Sequence, residues 1–248
     1  MLKDPYQWLL IISNNTFREQ LQIPFFLVGA RMVFASRFFL MSWVDKIDDI
    51  VVLNLPHRED RLLEFAKMME EYEIPFRRIE AMSKPNGAEG LRDTMVKLFT
   101  EALEKGHKKI LVFEDDAQFV VQKEWVDIVM NEVVDNLPEL WLMCFLGCQV
   151  TGKFIHRYHP HILSASKIFS THTVLYSERG MRECLSQGFD FPIDNYYVDK
   201  MEPLRGSYVV HPMLSTQRKG FSDIYKNEID WTPFIDGSYN QKYNEFNG

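Results

Sequence analysis

Ile110-Leu111-Val112-Phe113 runs directly into Glu114-Asp115-Asp116. An apolar tetrad of this kind reads as a strand buried on both faces, as in the parallel part of an α/β sheet. Three adjacent carboxylates at its C-terminal end repel one another, and packing alone does not ask for them. A hard divalent cation does, because Mg²⁺ and Mn²⁺ take carboxylate oxygens together with the oxygens of a bound phosphate. The C-terminal edge of a sheet is also where open α/β folds bind ligands. The competing reading is an acidic turn that caps the next helix, since Asp is a good N-cap.

The segments before this stretch alternate. Residues 50–55 (Ile-Val-Val-Leu-Asn-Leu) read as a first strand stopped by Pro56. An amphipathic helix is expected over 61–72, a second strand over 76–81, a turn at Lys84-Pro85-Asn86-Gly87, and a helix over 91–105 ended by Gly106. Strand, helix, strand, helix, strand implies βαβ units and a mostly parallel sheet flanked by helices. Beyond the acids the rhythm changes. Helices are expected over 125–136, 179–186 and 193–201. Strands are expected over 141–146, 167–176 and, as the last of the chain, 208–210. The polar stretch 152–161 carries His156, His159 and His161, which read as a loop cluster and lack the spacing of a zinc site.

With 248 residues the chain has length enough for one large α/β domain or two small ones. A net charge of −7 disfavours nucleic acid as the main partner without excluding a local basic groove. The three cysteines, Cys144, Cys148 and Cys184, cannot all pair and read as small core residues, which fits a reducing cytoplasm. Residues 1–43 form an aromatic-rich leader without clear period, 44–216 the catalytic-type domain, and 217–248 a polar and aromatic tail that reads as a lid. The apolar run within 21–41 is interrupted by Arg31 and Arg37, too short to span a membrane but compatible with peripheral contact.

Three further groups carry chemistry. Arg58 and Arg61, at the end of the first strand, suit phosphate oxygens through their guanidinium forks; the alternative is a pair of solvated first-turn residues. Asp194, after Phe191-Pro192-Ile193, admits two roles, helix cap or general base. His211 closes the late strand, and Arg218 and Lys219 stand in the segment that would fold over a diphosphate.

These residues together resemble glycosyltransferase family 25, which includes lipopolysaccharide-biosynthesis transferases and collagen galactosyltransferases. Val51-Val52-Leu53-Asn54-Leu55 with Arg58 and Arg61 resembles the family's opening INL-x-R-x-x-R element. Leu111 to Asp116 with Phe119 resembles its EDD motif, and Pro192-Ile193-Asp194 its later P-V-D element. The family's G-C-x-x-S-H helix stands here as Glu89-Gly90-Leu91-Arg92-Asp93-Thr94.

The resemblance spans roughly residues 47–215. It implies a GT-A (Rossmann-like) fold and transfer of a sugar from a nucleotide-diphosphate donor, a UDP-sugar for preference, to a glycan, glycolipid or other hydroxyl acceptor, with inversion. In that reading Glu114, Asp115, Asp116 and His211 hold Mn²⁺ or Mg²⁺. Asn54, Leu55, Arg58, Arg61, Arg218 and Lys219 bind the donor, and Asp194 is the base. Two rival classes are a metal-dependent phosphohydrolase and a non-catalytic binding module of the same fold.

Overall fold

Ile50, Val51, Val52 and Leu53 are β-branched or branched apolar residues, all buried, and they form the centre of β1 (Asp49–Asn54). The structure, a computed structural model, describes residues 42–247. The expected leader and the apolar run within 21–41 therefore lie outside the described residues, apart from Ser42 and Trp43. Trp43 is fully buried, opens a 3₁₀ turn at Trp43–Lys46, and donates its indole N–H to Asp127 at 2.9 Å.

After β1 come α1 (Glu59–Glu71), β2 (Arg77–Glu80), α2 (Gly87–Glu104), β3 (Lys109–Glu114) and β4 (Ala117–Phe119). The chain continues through α3 (Lys123–Asn136), β5 (Met143–Phe145), β6 (Gln149–Val150), β7 (Phe154–His159), β8 (Ile162–Ala165), β9 (Ile168–Phe169) and β10 (Thr173–Ser177). It ends with α4 (Glu178–Ser186), α5 (Ile193–Tyr196), β11 (Ser207–Val210), β12 (Ser215–Gln217), β13 (Gly220–Ser222), β14 (Asn227–Ile229) and α6 (Thr232–Asn247).

The central sheet has the order β2-β1-β3-β10-β5-β11-β8-β7. β10 and β8 run against the direction of the other strands, so the sheet is mixed but mostly parallel. Side chains alternate across it, as a period of two demands. Val51, Leu53, Ile110 and Val112 enter one core with α2, α4 and α6. Ile50, Val52, Leu111 and Phe113 enter the other with α1 and α3. The result is a three-layer α/β/α sandwich, which explains why β1 and β3 are apolar throughout rather than alternating. Phe65 on α1 shows the scale of these contacts. It is fully buried between Phe76 and Phe113, and such a side chain is worth about 3–5 kcal/mol against alanine.

Local signals explain the helix ends. The Asn86 side chain accepts from the Ala88 N–H and starts α2 four residues earlier than the apolar pattern suggested, so Gly87 belongs to the helix rather than the turn. Gly106 follows the helix with φ +78°, the left-handed conformation that glycine adopts at low cost.

Three expectations are corrected. The polar stretch 152–161 is not a loop, because most of it is β7, paired antiparallel to β8 at the sheet edge; within β7 Phe154 is buried, and Ile155, His156 and Tyr158 face solvent. The expected strand 167–176 is two strands, since Lys167 and Ser170 take positive φ values of 52° and 73° and break the pairing. The strand 207–210 is not the last. β12 pairs with β4, β13 pairs with β14, and α6 seats Ile235 and Tyr239, four residues apart on one face, in the core.

β12 is placed by a close backbone approach. A Cβ on Gly147 would lie 1.8 Å from the Ser215 carbonyl oxygen and 2.8 Å from His172 Nε2. Gly147→Ala is therefore expected to push β12 off β4 and to destabilise by about 3 kcal/mol, the upper end for overpacking. A urea midpoint unchanged from the parent would contradict this.

All three cysteines are buried and free. Among the described residues no helix is long and apolar enough to cross a membrane.

Candidate active site

Glu114 ends β3, and Asp115 and Asp116 form the turn into β4, so the acids do not cap a helix; the next helix, α3, begins seven residues later behind Gln122. All three line a cleft of about 670 Å³ at the C-terminal ends of β1 and β3. The other walls come from the start of α1, the β2–α2 connection, the β9–β10 turn, the start of α5, and the chain after β12.

The acids differ in their partners. Asp115 is turned into the protein: Oδ2 accepts from Asn54 Nδ2 at 2.8 Å and Oδ1 from Arg61 Nη1 at 2.9 Å. Asp116 Oδ2 accepts from the same Arg61 nitrogen at 3.0 Å, and Gln217 Nε2 lies 3.5 Å from its Oδ1. Among the described residues Glu114 has no cationic partner; its Oε1 accepts from the Thr171 hydroxyl at 2.8 Å. Desolvation in the cleft, then the charges of Asp116 and Asp194, push the Glu114 carboxyl up to about 8. Burial also raises Asp116, against the pull of Arg61.

Asp194 sits at the second position of α5, whose N-cap is Pro192, and no side chain caps that helix. Its carboxylate instead accepts from the Ser170 backbone N–H at 2.8 Å. The left-handed Ser170 makes this contact possible, because the same turn aims its N–H at Asp194 and the Thr171 hydroxyl at Glu114. Burial raises Asp194 to about 6. Asp194 therefore lines the cleft with a carboxylate that bonds the Ser170 N–H and makes no capping hydrogen bond to its own helix.

Arg61 lines the cleft beside the acids. Besides the two aspartates, its Nη2 donates to the Phe221 carbonyl at 2.7 Å. The Arg61–Asp115 and Arg61–Asp116 pairs are largely shielded from water, with side-chain exposures of 14%, 9% and 17%. Arg61→Ala is expected to cost about 3–5 kcal/mol, because it strands two desolvated carboxylates. A loss below about 1 kcal/mol on chemical denaturation would mean that solvent screens these pairs as it does surface ones.

Of the donor-binding candidates, Leu55, Arg61 and Arg218 line the cleft. Arg218 pairs with Glu64 at 3.1 Å, and its backbone N–H donates to the Asp116 carbonyl at 2.7 Å. Asn54 lies beneath the cleft as the support of Asp115 and of the Arg58 carbonyl. Two candidates are corrected. Arg58 is neither a solvated residue nor a wall of the cleft: it is committed to Asp60, Asp223 and the Phe221 carbonyl, and so fastens the β13–β14 hairpin. Lys219 is exposed and lies outside the lining.

His211 is also not part of the acid cluster. β11 is three strand spacings from β3, about 14 Å. The His211 ring stacks on Tyr243 with centroids 3.9 Å apart and meets the Tyr239 hydroxyl at 2.8 Å. Burial and nearby Arg157 push its pKa down to about 4. It anchors α6. His159 and His161 lie 3.8 and 3.7 Å from Glu132, away from the cleft.

Among the described residues no group of three or more His, Cys, Asp or Glu side chains converges on a metal-sized point. Glu114 and Asp116 nevertheless fit a hard cation. They face one cleft, they repel one another, and nucleotide-bound Mg²⁺ typically takes one or two carboxylates and completes its shell from water and phosphate.

Sequence reasoning missed Ser170, Thr171, Gln217, Gln149 and Trp231, all of which line the cleft. The small polar run Ser170-Thr171-His172-Thr173 inside an apolar segment was the available signal for the first two.

No protein-family model and no curated protein matches this chain. Similar solved structures include a glycosyltransferase involved in glycosylation of the major capsid of PBCV-1, at 13% identity and TM-score 0.41, covering 72% of this chain and 96% of that one. Another is mannose-1-phosphate geranyltransferase from Thermus thermophilus, at 13% identity and TM-score 0.39, covering 64% and 58%. A third is CMP:2-keto-3-deoxy-manno-octonic acid synthetase complexed with CTP, at 6% identity and TM-score 0.37, covering 65% and 87%. TM-scores this low carry no argument from those proteins' activities to this one.

Proposed function

We propose that this chain is a glycosyltransferase that moves a sugar from a nucleotide-diphosphate donor to an acceptor hydroxyl. The observation that carries the reading is the content of one cleft. Glu114, Asp116, Arg61 and Arg218 line it together, and Asp194, whose carboxylate makes no capping hydrogen bond, lines it too, near enough to Glu114 for the two charges to interact. The first group suits a diphosphate, with guanidiniums for its oxygens and two repelling acids for a cation. A divalent cation held by Glu114 and Asp116 would supply neutralisation of the leaving diphosphate.

The protein's own residues do the rest. Arg61 and Arg218 bind phosphate oxygens, and the β13–β14 hairpin covers the cleft. Asp194, with its pKa near the working range, takes the proton from the acceptor hydroxyl, and attack from its side of the sugar gives inversion. Membership of family 25 is part of this proposal and rests on the motif residues that line the cleft: Leu55, Arg61, Glu114, Asp115, Asp116 and Asp194. A UDP-sugar and a cytoplasmic location belong to it too.

The test is a panel of UDP-, GDP- and CMP-sugars with Mn²⁺, read by thermal shift and by donor turnover with and without acceptor. A true donor at 100 times its Kd stabilises by about 2.7 kcal/mol. Turnover indifferent to any acceptor would mark a phosphohydrolase instead. Failure of every nucleotide sugar to stabilise would mark a module without this activity.

A further inference from the structure

Tyr225, Trp231 and Phe234 form a row that runs out of the cleft onto the surface. Tyr225 and Trp231 line the cleft. Their ring centroids are 5.8 Å apart, and Trp231 and Phe234 are 5.9 Å apart. Tyr225 and Phe234 are 62% and 57% exposed, and Phe221 and Ile224 on the same hairpin are each 41% exposed. Contiguous exposed apolar surface of this kind marks a binding site more often than a structural need.

The row is held in place. Trp231 packs against the core beneath α6, and its carbonyl accepts from the Phe234 and Ile235 N–H groups at 3.0 and 2.9 Å. The same cleft is lined by Gln149, Gln217 and Asp194, which supply two amides and a carboxylate.

The ligand chemistry that matches is a sugar ring. A pyranose has a C–H face, which suits the electron-rich face of an aromatic ring, and a rim of hydroxyls, which suits amides and carboxylates. Charge narrows the choice. Residues 221–236 hold Asp223, Glu228, Asp230 and Asp236 against the single Lys226; with Asp223 paired to Arg58, the remaining three carboxylates against one lysine disfavour phosphorylated or sulfated chains.

We propose that the acceptor is an uncharged oligosaccharide laid along Tyr225, Trp231 and Phe234 with its reacting hydroxyl towards Asp194. This rests on the transferase reading above, and it draws on the C-terminal segment, outside the motifs that prompted that reading.

The full chain is applied to a glycan array carrying neutral, sialylated, sulfated and phosphorylated oligosaccharides, alongside unglycosylated peptides. Neutral glycans should be retained. Tyr225→Ala and Phe234→Ala should each weaken that retention at least ten-fold, with melting temperatures close to the parent because both rings are exposed. Preference for anionic glycans or for peptides would overturn the proposal, as would retention unchanged in both variants. So would absence of any glycan binding by a protein that nucleotide sugars still stabilise. Neutral-glycan binding lost in both variants, in a protein that no nucleotide sugar stabilises, would support the aromatic row and overturn the transferase reading alone.

Discussion

Asp194→Asn is expected to cut sugar transfer by ~10²–10⁴ while leaving donor affinity and fold nearly unchanged. The asparagine carbonyl can still accept the Ser170 N–H, so the β9–β10 turn keeps its anchor. The sign of the stability effect follows from the raised pKa. Folding moves this carboxyl from its ordinary 3.8 to about 6, so the folded state disfavours the ionised form. Its stabilising contribution is present below the ordinary carboxylate range and is lost as pH rises through about 6. At pH 8 the variant should therefore melt no lower than the parent.

In the parent, transfer should rise with pH through about 6 and then level, and the variant should lack that limb. Melting temperature at pH 5 and 8, donor Kd and transfer rate on one preparation decide the matter. An active but destabilised variant would make Asp194 structural. Asp199, the next acid in the segment, would not inherit the role, since it is exposed and outside the cleft.

Asp116→Asn is expected to lower metal-dependent donor turnover by more than ~10²-fold, the scale of losing one electrostatic stabiliser of a developing anion. The fold should persist, because Arg61 retains Asp115 and the Phe221 carbonyl. Removing divalent ions from the parent with EDTA should reproduce the loss. A variant that turns over donor at the parent rate in EDTA would remove the metal from the proposed chemistry.

The two variants separate the two proposed roles. Loss at Asp116 should appear in donor turnover with or without acceptor. Loss at Asp194 should appear only in transfer.

What was legible in the amino-acid sequence is what local pattern dictates. An unbroken apolar run must be buried on both faces, so β1 and β3 were readable, and with them the position of Glu114, Asp115, Asp116 and Arg61 at one edge of the sheet. Asp194 was readable as a position, two residues past Pro192. Its role was not, because a cap and a base differ only in which N–H the carboxylate meets.

The tertiary structure decided what depends on partners distant in the chain. Arg58 and Arg61 are three residues apart and chemically alike. Both reach the Phe221 carbonyl of a hairpin that begins some 160 residues later, but Arg61 alone pairs with Asp115 and Asp116, while Arg58 pairs with Asp60 and Asp223. His211 was plausible as a ligand by type, but strand order carried it to α6, where its half-buried ring stacks on Tyr243. The left-handed turn at Ser170 and the return of the tail onto β4 are likewise set by packing. Periodicity reports which side of an element is apolar. It contains no information about which other element will meet the polar residues at its ends, and the acids, Arg61 and Asp194 of the cleft all stand at such ends.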